Sequence, residues 1–119
     1  MDSELSRAQA VRALLEYSSP LATLQRHLAP YPWDSDEDLG FLTPGHVIDV
    51  LQRYQSDQLT AGDVEEWANL IESRDDVGFD PHHSDLLADF VFDAANPDLN
   101  GQITMEWARI WIERLSSLF

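Results

Sequence analysis

Thr60-Ala61-Gly62-Asp63-Val64-Glu65-Glu66-Trp67-Ala68-Asn69-Leu70-Ile71 decides the fold class of this chain. Val64, Trp67, Leu70 and Ile71 recur three and four residues apart, the period of one helical face. Thr60 with Asp63 three residues on resembles a capping box that uses Asp. Hydroxyl and carboxylate each accept from a backbone N–H that the first helical turn leaves without a partner.

The same grammar runs outward in both directions. Upstream, Thr43-Pro44 sets an N-cap before a proline at the first helical position, ahead of a stripe of Val47, Val50, Leu51 and Tyr54. Leu5, Ala8, Val11 and Leu15 predict a helix over roughly 3–17 with Asp2 or Ser3 as its cap. Pro20 sits in the first turn of a short helix carrying Leu21, Leu24 and Leu28. Downstream, a helix follows Pro81 through Leu86, Leu87, Phe90, Val91 and Ala94, and Thr104 caps a last one with Trp107, Ile110, Trp111, Leu115 and Leu118.

Between these, residues 30–42 read as a loop. Its prolines and acidic cluster disfavour a regular element, and Tyr31, Trp33, Phe41 and Leu42 are expected to tie it to the core. Asp75-Asp76-Val77-Gly78 reads as a turn. Polar and apolar residues nowhere alternate for more than about four positions. The expected fold is therefore all-α: a single helical domain over residues 1–119, a bundle of about five helices. Its 44% hydrophobic content, with four Trp, three Tyr and five Phe, is enough for one core.

Charge narrows the function. Twenty-two Asp and Glu face seven Arg, with no Lys, for a net charge of −15. Such a surface repels phosphate backbones and anionic membranes, which need cationic contacts. The expected partner is a basic protein, with no direct nucleic acid and no membrane among its partners; acidity that serves only solubility is the alternative. No cysteine is present, so disulfides, zinc-thiolate sites and thiol nucleophiles are excluded. No apolar run approaches the ~20 residues that span a bilayer, and Met1-Asp2-Ser3-Glu4 lacks the basic start of a secretory signal. The expected location is cytoplasmic.

Two stretches resemble metal sites. Residues 96–107 offer Asn96, Asp98, Asn100, Gly101 and Ile103 where a calcium-binding EF-hand loop wants them, with Thr104 at the ninth position. The twelfth position, where a bidentate Glu is needed, holds Trp107. Glu106 comes one residue early, rotated about 100° round a helix. The expectation is a helix-to-helix connection, with a degenerate calcium site as the alternative. Asp80-Pro81-His82-His83-Ser84-Asp85 gathers possible ligands, but adjacent histidines diverge on a helix; Asp80 and Ser84 are expected to line a helix start. His27 and His46 have no nucleophile or carboxylate pair at a useful spacing, and neither a nucleophile elbow nor a phosphate-binding glycine loop occurs. No catalytic residue, metal or cofactor is expected.

The acidity is concentrated. Residues 63–98 hold eleven acids against Arg74 alone, and Asp34, Asp36, Glu37 and Asp38 form a second cluster in the loop. Glu65, Glu66, Glu72, Asp75 and Asp76 are the leading partner-binding candidates, with Glu65, Glu72 and Asp76 on one outer flank; Asp36, Glu37 and Asp38 come second. A merely solvated helix face is the alternative.

Leu42-Thr43-Pro44-Gly45-His46-Val47, then Val50-Leu51-Gln52-Arg53-Tyr54, then Leu59 through Asn69, resembles small bacterial immunity proteins of the colicin-immunity and contact-dependent growth-inhibition type. The likeness continues through Ile71–Phe79 and Ala95-Asn96-Pro97, about half the chain. It implies an acidic helical bundle that binds the toxic domain of a cognate nuclease. Carboxylates of such a protein occupy positions that substrate phosphates would fill, through charge-assisted pairs to Lys and Arg. An acidic adaptor or DNA mimic acting on another basic protein is the other class this composition admits.

Overall fold

The computed structural model describes residues 5–118. Helices α1 (Arg7–Glu16), α2 (Leu21–Leu28), α3 (Pro44–Gln55), α4 (Ala61–Glu72), α5 (Ser84–Ala95), α6 (Pro97–Asn100) and α7 (Met105–Ser116) carry most of the chain. Two three-residue strands interrupt them, β1 (Gly40–Leu42) between α2 and α3 and β2 (Val77–Phe79) between α4 and α5. The chain is mostly helical, as the periodicity requires.

Helix starts follow the local chemistry. Thr60 Oγ1 accepts from Asp63 N at 3.0 Å while Asp63 Oδ2 accepts from Thr60 N at 2.9 Å. Thr43 caps α3, and His46 Nδ1 accepts from Thr43 N at 3.0 Å, so an imidazole takes the role of the usual Glu. Burial pushes the His46 pKa down, against the opposing charges of Glu16 and Asp49. Thr104 caps α7 through Trp107 N. The first helix differs from expectation: Ser6, with Gln9, forms its capping box and the helix begins at Arg7. Asp2 and Ser3 lie outside the described residues. Pro20 precedes α2 as its N-cap rather than lying in its first turn.

The core centres on α4. Trp67 is fully buried, its indole N–H donating to Leu14 O of α1 at 2.7 Å. Its ring contacts Tyr17, 6.4 Å away, and Phe90 of α5, also at 6.4 Å. Phe90 in turn meets the edge of Trp111 at 5.4 Å. This run of aromatics, tilted and edge-on as ring quadrupoles prefer, joins α1, α4, α5 and α7. Val11, Leu14, Leu24, Val47, Leu51 and Leu87 fill the space around it. Ile110, expected in the α7 stripe, is exposed, as is Ala8 of α1.

Two segments read as a loop and a turn hold short strands within this mostly helical fold. β1 and β2 run parallel in the register Gly40↔Val77, Phe41↔Gly78, Leu42↔Phe79. The segments read as loop 30–42 and turn 75–78 thus pair with each other; strands of three residues are too short to show alternation. Gly40 is required there, because a Cβ would lie 2.9 Å from Val11 Cγ1.

Trp67→Phe keeps the aromatic contacts but removes the bond to Leu14 O and leaves a void. Chemical denaturation should show a loss of about 2 kcal/mol without a change of fold.

Candidate partner-binding surface

Asp76 is the buried charged residue of the described chain, at 0% exposure. Sequence reading put it on an exposed flank by extending the helical wheel of α4. The helix ends at Glu72, however, and the chain turns inward at Ser73. There Asp76 meets two guanidinium groups. Arg74 Nε donates to Oδ1 at 3.0 Å and Arg74 Nη2 to Oδ2 at 2.9 Å, while Arg7 Nε donates to Oδ2 at 3.0 Å. Burial favours the neutral acid, but the hydrogen bonds from Arg74 and Arg7, with their charges, outweigh it. They hold the Asp76 carboxyl below its ordinary value of 3.8. Asp76 is therefore a structural residue and leaves the set of partner-binding candidates.

The same guanidiniums clamp the acidic loop. Arg7 Nη2 donates to Pro32 O and Asp34 O, each at 2.8 Å, and Arg74 Nη2 donates to Pro32 O at 3.0 Å. Backbone bonds complete the join: Asp75 N to Trp33 O at 2.9 Å, Leu39 N to Asp76 O at 2.8 Å, and Asp80 N to Leu42 O at 2.8 Å. The Asp38 carboxylate lies over Gly78, where a Cβ would come within 2.6 Å of Oδ2. The two acidic clusters, about forty residues apart in sequence, are thus held side by side.

The remaining candidates point outward. Glu66, Glu72, Asp75, Asp36, Glu37 and Asp38 are exposed, and Glu65 is half-buried. Round the exposed arc of α4, Glu72, Glu65, Asn69, Glu66 and Leu70 follow one another. An open depression of about 600 Å³ runs along it, lined by Gly62, Glu65, Glu66, Asn69, Leu70 and Ser73. Among the described residues none of these seven acids forms an ion pair. Four of the seven arginines are paired elsewhere: Arg7 and Arg74 with Asp76, Arg53 with Asp49, and Arg109 with Glu106 and Glu113; Arg12 and Arg26 are exposed and in no ion pair among the described residues. Arg114 stacks on Trp111 at 4.1 Å. Trp33 corrects another expectation: it does not enter the core but stands 61% exposed beside the acids.

The metal-site lookalikes fold into other roles. Pro97–Asn100 is helical, and the amide groups of Asn96 and Asn100 donate to Phe92 O, at 2.9 and 3.5 Å, closing the end of α5. Glu106 is bonded to Arg109. Asp80 Oδ1 accepts from His82 N at 3.1 Å, and α5 begins at Ser84 without a side-chain cap, so Ser84 is the first helical residue. Among the described residues no group of three or more His, Asp or Glu is placed to hold a metal. No helix there is long and apolar enough to cross a membrane. No protein-family model matches the chain, and no curated protein or solved structure matches it at a significant level.

Asp76→Ala strands two guanidiniums and should cost roughly 3–5 kcal/mol in chemical denaturation. The exposed neighbour Asp75→Ala should stay within about 0.5 kcal/mol. Because the native Asp76 pKa is depressed, its contribution is fully present above the ordinary value of 3.8 and disappears as the pH falls through the lower native value. Melting curves below about pH 4 should therefore show an acid-dependent loss that is smaller in Asp76→Ala.

Proposed function

We propose that this protein is a non-catalytic inhibitor that binds a basic partner through its acidic surface, and that the partner is a nuclease toxin domain, as in the immunity proteins it resembles. One observation carries the reading: four of the seven arginines are spent on internal pairs, and the carboxylates of Glu65, Glu66, Glu72, Asp75, Asp36, Glu37 and Asp38 have no cationic partner among the described residues. Exposed acids so close together repel one another and attract a cationic cleft, raising its encounter rate in a salt-dependent way. Carboxylates held on a helix and a clamped loop are presented with little conformational entropy left to lose.

Glu72 adds a local argument. It stands in the last turn of α4, which carries no basic residue, so the helix dipole disfavours its charge. A surface shaped for stability alone would place a cation there.

The reading is tested by capture at low salt with a salt gradient for elution, followed by measurement with the purified partner. The expected partner is basic, carries nuclease activity, and is inhibited on binding. Glu65, Glu66, Glu72 and Asp75 changed together to Lys should slow its association about tenfold or more at low salt. Glu72→Lys alone should stabilise the free protein by about 0.5 kcal/mol while weakening the complex. An association rate that does not respond to the four reversals would leave the face a solvated surface.

A further inference from the structure

Trp33 is the most exposed aromatic residue of the described chain, and its setting explains why it is not folded away. The backbone on either side is clamped: Pro32 O accepts from Arg7 and Arg74, Asp34 O accepts from Arg7, and Trp33 O accepts from Asp75 N. The chain therefore presents the indole outward from a rigid base, at the edge of a groove of about 280 Å³. Leu28, Tyr31, Pro32, Leu70 and Arg74 line that groove with it. The Arg74 guanidinium is engaged by Asp76 and Pro32 O; with Arg7 on the same carboxylate the triad keeps one net positive charge, set against the carboxylates of Asp34, Asp75 and Glu66. Leu70 belongs both to this groove and to the acidic depression along α4, so the two adjoin. The result is an apolar centre with Asp34, Asp75 and Glu66 around it, the layout of an interface core inside a charged rim.

We infer that the Trp33 groove is the anchor point of the partner surface, and that it takes an apolar side chain of the partner flanked by Lys or Arg. The inference rests on the acidic-surface reading above and adds to it where the contact is centred. The indole and Leu70 exclude water around the anchor, and the flanking cations meet the carboxylates at the rim. A cation over the indole face gains further from its quadrupole. An acidic segment is excluded by repulsion from Asp34, Asp75 and Glu66.

The test is an NMR titration of the full chain, labelled with nitrogen-15, at low salt. The probes are a short synthetic peptide with a central Leu between Arg and Lys residues, the same peptide with Ser for Leu, and a third with Leu kept and Glu for the cations. The first should shift the Trp33 indole N–H and the amides of Leu70 and Asp75, and bind about tenfold or more tightly than the other two. Trp33→Ala should weaken it by a similar factor and Trp33→Phe by much less; both leave the three clamped carbonyls in place. Equal binding of the Leu and Ser peptides, or shifts remote from Trp33, would overturn the groove while leaving the acidic surface standing. No binding by either cationic peptide would overturn both, and tighter binding of the Glu peptide would reverse the charge assignment. The shift map comes from the unaltered protein, so a poorly folded variant would not remove the decision.

Discussion

The carboxylate of Asp76, buried between Arg7 and Arg74, is the constraint on which this surface depends. Arg7 is the first residue of α1, and Arg74 and Asp76 follow α4, so the triad fastens the start of the fold to its middle. Its spare N–H groups reach the carbonyls of Pro32 and Asp34, which brings in the loop as well. A buried ion pair is weak evidence for stability, because desolvation offsets most of the attraction. Its value here is specificity of placement: the directed forks of two guanidiniums satisfy one carboxylate and three backbone contacts in a single geometry.

An uneven use of arginine follows from this. With seven Arg and no Lys, each internal pair removes a cation that could have balanced the surface. Arg109 serves Glu106 and Glu113 on its own helix, and Arg53 serves Asp49 together with the carbonyls of Glu16 and Tyr17. The acids of α4 and the 31–38 loop are thus left unpaired through allocation as well as through composition.

What was legible in the sequence is what depends on neighbours along the chain. Thr43, Thr60 and Thr104 mark their helices because a cap is satisfied within three residues, and the stripe of Val64, Trp67 and Ile71 is buried because its period matches α4. The strands were not legible, since three residues cannot display alternation and their pairing joins positions nearly forty apart. Asp76 was misplaced for the same reason: its partners are a residue two positions away and another sixty-nine away, and a helical wheel sees neither. Glu66, Glu72 and Asp75 were placed outside correctly, because an unpaired carboxylate has nowhere else to go. Trp33 defeats the rule that large aromatics are buried, since what fixes it is the clamping of its backbone.

The parallel pairing of β1 with β2 bears on the order in which this molecule assembles. A parallel pair cannot form by a local hairpin; here the connection is α3 and α4 together. Strands of three residues gain too little to close that loop alone, so the two crossover helices must pack first. The acidic surface lies on the late-forming seam. The backbone bonds across that seam, Asp75 N to Trp33 O and Leu39 N to Asp76 O, are the ones whose protection against hydrogen exchange should rise when a partner covers the surface.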